Sequence, residues 1–144
     1  MRPAAILFGV LLVTAPASAK PSAPSGVYGN VHTVGETGDM LGMEARFFRQ
    51  GGRPMVEFVW CEGWCNDVHV LPVVGAGRGY AFRYSQTTGA GSTLDYRFVG
   101  VPVGTGLKIR AWQGAEPLND GAPYMLRRLG KPYAIPFARA NGAR

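Results

Sequence analysis

The stretch PMVEFVWCEGWCNDVHVLPVV, residues 54–74, decides the fold. Val56, Phe58 and Trp60 alternate with Glu57 on the way in, and Val68, Val70, Leu71, Val73 and Val74 form a second apolar run on the way out. Period-two alternation on both sides of a short glycine-containing connection predicts two antiparallel strands joined at a hairpin corner. That corner, Trp60-Cys61-Glu62-Gly63-Trp64-Cys65, holds both cysteines and two of the three tryptophans.

The same pattern recurs outward from it. Phe82 and Tyr84 alternate with Arg83, Leu94, Tyr96 and Phe98 with Asp95 and Arg97, and Leu107, Ile109 and Ala111 with Lys108 and Arg110. One apolar and one charged face per run is what a single antiparallel layer, solvated on one side, requires. Turn-forming residues fill 35–39, 50–53, 75–78, 88–91 and 119–121. Strands are therefore expected near 27–34, 41–50, 54–61, 68–74, 79–84, 93–100, 106–113 and 123–129, with a short terminal strand at 133–137. The 21 glycines and 11 prolines leave no uninterrupted stretch for a long amphipathic helix. Eight short-linked strands predict an all-β, eight-stranded antiparallel barrel of meander type, because closure removes the two unpaired edges.

Arg2, the apolar run 6–13 and the small residues Ala17-Ser18-Ala19 predict a cleaved secretory signal over 1–19. The mature chain is then expected to begin near Lys20, with a flexible lead-in at 20–25, a barrel domain over 26–138 and a C-terminal tail at 139–144. About 125 residues is the size of one domain with one core. The apolar run is too short to span a bilayer and no second one follows, so no transmembrane segment is expected. The destination read from these features is the periplasm or the exterior.

Fifteen Lys and Arg against nine Asp and Glu give a net charge of +6. The basic residues never run longer than two, the spacing of solvated strand faces rather than of a nucleic-acid patch, and no nucleic-acid partner is expected. Attraction to an anionic envelope surface or an acidic partner is compatible with the charge.

Two cysteines spaced by three residues in an exported chain favour a Cys61–Cys65 disulfide over a redox-active pair or a zinc site. So small a ring contributes roughly 2 kcal/mol and mainly fixes the corner. Asp67 and His69, two apart on a strand, share a face. With His32, Glu36 and Asp39 they are the only candidates for a metal or acid–base cluster, and they read as loop charges and an exposed histidine. The chain has no nucleophile elbow, zinc-protease helix, P-loop or dinucleotide fingerprint, so no catalytic residue, metal or cofactor is assigned.

Ser25-Gly26-Val27-Tyr28 near the start and Arg127-Arg128 near the end resemble the framework of calycin-type barrels, the lipocalins and their relatives. In that group a glycine-x-aromatic motif on the first strand packs against a basic residue of the last. The resemblance implies that Tyr28 and one of Arg127 and Arg128 close one end of the barrel; only one of the two arginines can point inward. Such a stack contributes on the order of 1 kcal/mol. The segment 36–44 is also similar to small exported bacterial barrels, a resemblance that implies shape and export but no activity.

Two functions follow. Phe58, Trp60, Phe82, Tyr96 and Phe98 either pack the core or line a cavity for a small apolar or amphipathic ligand. Alternatively, Trp64, inside the disulfide ring, contacts an envelope protein and the chain is a protein-binding or inhibitory module. An enzyme ranks third.

Overall fold

The computed structural model describes residues 24–65 and 67–142. The segment read as a signal, 1–19, and residues 20–23 of the lead-in lie outside the described residues. The alternating runs form β1 (Gly26–Gly29), β2 (His32–Thr33), β3 (Met40–Gln50), β4 (Arg53–Cys65), β5 (His69–Pro72), β6 (Val74–Ala76), β7 (Gly79–Thr87), β8 (Thr93–Val103), β9 (Gly106–Gln113), β10 (Glu116–Pro117) and β11 (Tyr124–Leu129). They are joined into one antiparallel sheet in the order β5-β4-β3-β1-β11-β9-β8-β7-β6, with β2 against β3 and β10 against β9. First strand meets last, Tyr28 opposite Arg128, so the meander curls into a nearly closed barrel.

Nine strands make this wall rather than the eight expected, and the difference arises at Val73. The run 68–74 does not stay one strand: β5 pairs with β4, whereas β6 pairs with β7. Between them Val73 is buried and gives its N–H to the carbonyl of Pro54 at 3.0 Å. The chain itself thus hands over from one neighbour to the next, and no ladder joins β5 to β7 above the handover.

The inward faces stack in layers set by the period of two. Tyr28, Ala45, Phe47, Phe58, Tyr80, Phe82, Phe98, Leu107, Ile109 and Leu126 are buried together in one interior core. Phe58, Phe82 and Phe98 are in ring contact, with centroids 4.6 to 5.1 Å apart. These three rings pack together within that core.

In place of the terminal strand expected at 133–137, the chain forms a helix, α1 (Ala134–Gly142), which continues through the start of the expected tail. Pro136 sits in its first turn, where a missing N–H costs nothing. The helix covers the outer face of β3 and β4. There Ala134, Ile135 and Ala138 pack against Met40, Val59, Cys61 and Cys65, a second core separate from the barrel interior. Glu44 of β3 is fully buried beneath the start of α1, and its carboxylate accepts the backbone N–H groups of Tyr133, Ala134 and Ile135. Glu57, also buried, pairs with Arg46 across the strands and with Arg139 of the helix. The disulfide expected between Cys61 and Cys65 is present. Gly63 between them has φ +85°, a backbone conformation that glycine supplies without strain.

A candidate binding site at one barrel mouth

Above the packed phenylalanines the same inward register continues for two more steps, and its chemistry changes. Along β4, Val56 and Phe58 are followed by Trp60 and then Glu62; along β7, Phe82 is followed by Tyr84 and Gln86. Cross-strand pairing aligns the next step: Tyr84 lies opposite Tyr96, and Tyr96 opposite Gln113 of β9. A solid apolar layer is thus succeeded by a ring of Trp and Tyr, and that by a polar rim.

Trp60, Glu62, Asp67, His69, Tyr84, Gln86, Tyr96, Gln113 and Leu118 enclose a cavity of about 140 Å³ at this mouth. Trp60 and Tyr96 meet edge to face at 5.9 Å and 73°, setting two walls nearly perpendicular. Tyr124 meets Trp60 at 6.1 Å. Tyr84 stacks on Tyr96 at 5.0 Å and on His69 at 4.1 Å, the latter pair only 13° from parallel. Because His69 belongs to β5 and Tyr84 to β7, this stack bridges the wall where no backbone ladder does.

Burial lowers the pKa of His69 from its ordinary 6.5, against a smaller opposing pull from Asp67, so the imidazole is neutral at neutral pH. Burial raises Tyr84, with lesser contributions from Tyr96 and from the charge of Glu62. Tyr96 and Tyr124 are raised by burial first and by Glu62 second. The phenols therefore stay protonated, and the negative field of Glu62 reaches all three.

Of the residues read from the sequence as cavity lining, Trp60 and Tyr96 line this cavity, whereas Phe58, Phe82 and Phe98 are core beneath it. The division follows from layer height: all five point inward, but only the upper two sit where the barrel is unfilled. Trp64 covers neither mouth. It lies outside, 52% exposed, with its ring 5.2 Å from that of Phe137 on α1. At the opposite end the Arg128 guanidinium lies 5.9 Å from the Tyr28 ring centroid, while Arg127 lines an outer groove with His32 and Lys131. Asp67 and His69 come together at the mouth, but His32, Glu36 and Asp39 do not join them.

The sequence reading omitted Glu62, Tyr84, Gln86, Gln113 and Leu118 from the site. A signal existed for Glu62 and Gln86, since the even-numbered alternation runs 56, 58, 60, 62 and 82, 84, 86; ending those strands at 61 and 84 concealed it. Among the described residues no group of three or more His, Cys, Asp or Glu is placed to hold a metal ion, and no helix is long and apolar enough to cross a membrane. Comparison of the chain with protein-family models, curated proteins and solved structures gives no match.

Proposed function

We propose that this is an exported small barrel that binds a small amphipathic ligand at the Trp60–Tyr84–Tyr96 mouth. The observation that carries the reading is the cavity itself, concave, walled by aromatic rings and rimmed by a few converging polar groups. Its volume is close to that of the roughly 150 Å³ cavity that accepts benzene, so the ligand, or the part of it that enters, has few heavy atoms. Export is supported by the signal-like pattern of 1–19 and by the Cys61–Cys65 bond, since disulfides persist in oxidising compartments. The Arg128–Tyr28 stack supports the calycin-type framework.

Trp60→Ala tests the reading. Native mass spectrometry of the protein isolated from its own envelope should show a small adduct on the parent chain that the variant lacks; an adduct that survives the substitution would reject the mouth as the site. A second reading, a module that contacts an envelope protein, is favoured by the half-exposed Trp64 beside Phe137. It requires that a captured partner be lost with Trp64→Ala.

A further inference from the structure

We propose that the mouth selects small organic cations, amines or quaternary ammonium groups, over neutral and anionic molecules of the same shape; this rests on reading the mouth as a ligand site. The chain carries a net +6, yet Glu62 and Asp67 stand at the cavity and no Lys or Arg lines it. Neither carboxylate has a basic partner among the described residues, where both ion pairs go to Glu57 on the far side of the β4 wall. A protein with basic residues to spare has left two negative charges without a basic partner at this mouth.

Trp60 and Tyr96 are nearly perpendicular and Tyr84 lies alongside Tyr96, so several rings border one small volume. Ring faces are the negative pole of the aromatic quadrupole, and a cation within about 6 Å of a centroid is attracted to them. The burial that keeps His69 neutral removes the only positive charge the lining itself can supply. At a ring face open to the cavity, ring and carboxylate act on a cation with the same sign. An anion would meet repulsion from both, and a neutral apolar molecule would forgo the carboxylates while desolvating Gln86, Gln113 and Glu62.

About 140 Å³ accommodates an ammonium head with three or four small alkyl substituents, but not a fatty chain or a sugar ring with its substituents. A bare metal ion is a poorer match, because among the described residues no three His, Cys, Asp or Glu are grouped to hold one.

The test is a titration of the full chain with choline, with its carbon isostere in which a quaternary carbon replaces the nitrogen, and with trimethylacetate. Binding is followed by calorimetry and by the Trp60 indole and His69 ring signals in NMR. Choline is expected to shift both signals and to bind at least roughly tenfold tighter than the isostere, with trimethylacetate weakest. Glu62→Gln, an isosteric change at an exposed position, should reduce the choline affinity roughly tenfold and leave the isostere unchanged. Equal binding of choline and isostere, or preference for the anion, overturns the cation selectivity while leaving the mouth as a ligand site. If none of the three perturbs Trp60 or His69, the selectivity and the ligand reading fall together.

Discussion

Replacing Glu44 by glutamine tests how α1 is held against the barrel. Its buried carboxylate accepts Tyr133 N–H at 2.9 Å, Ala134 N–H at 3.1 Å and Ile135 N–H at 3.0 Å. A helix start leaves four N–H groups without internal partners. Here three go to one side chain 89 to 91 residues away in sequence, and Pro136 has none to offer. Glutamine keeps the shape but turns an NH₂ group toward at least one donor, leaving a buried N–H unmet at about 1–3 kcal/mol. It also removes the negative charge from the positive end of the helix, up to about 2 kcal/mol in a buried geometry. Together about 1–5 kcal/mol of stability should be lost, read from urea denaturation, with faster hydrogen exchange at 133–135. A variant within about 0.5 kcal/mol of the parent, with those amides still protected, would refute this assignment.

Phe98→Ala, which opens a cavity in the fully buried core, should cost about 3–5 kcal/mol, whereas Tyr96→Ala at the partly exposed mouth should cost markedly less and act mainly on binding; paired denaturation curves distinguish the two. Tyr80→Phe should be neutral or stabilising by about 1 kcal/mol, because the buried Tyr80 hydroxyl has no hydrogen-bond partner among the described residues. His69 should make stability pH-dependent. Its folded pKa lies below the unfolded 6.5, so the unfolded state takes up the proton first. Stability is full above about 6.5, declines as pH falls from there to the folded value, and is flat below it. Asp67, Glu62 and the stacked Tyr84 are the polar groups facing it, and His69→Gln should remove this part of the dependence in urea midpoints measured across pH.

The barrel was legible because its strands carry the alternation openly: Val56/Phe58/Trp60 and Leu107/Ile109/Ala111 each announce an inward face without reference to anything distant. The handover at Val73 was not, since a continuous apolar run looks the same whether it has one neighbour throughout or changes neighbours midway. The terminal helix was obscured by Pro136 and by small residues: Ala134 and Ala138, one helical turn apart, give little amphipathic contrast. What stabilises that helix is Glu44, whose meaning depends on contacts far along the chain, and an isolated acidic residue in a strand carries no such mark. The site was half visible. Trp60 and Tyr96 were found from their type, but Glu62 read as part of the glycine-containing corner, whereas β4 continues through Cys65 and carries Glu62 in the same alternation as Phe58 and Trp60.

The central claim is that the barrel is packed up to Phe58, Phe82 and Phe98 and receives a small cation only above them. The most direct measurement is the set of nuclear Overhauser contacts between the methyl protons of bound choline and the aromatic protons of the protein. Contacts with Trp60, Tyr84 and Tyr96, and none with Phe58, Phe82 or Phe98, are the expected result. Contacts that reach the three phenylalanines, or that gather instead at Trp64 and Phe137 on the outer face, would contradict it.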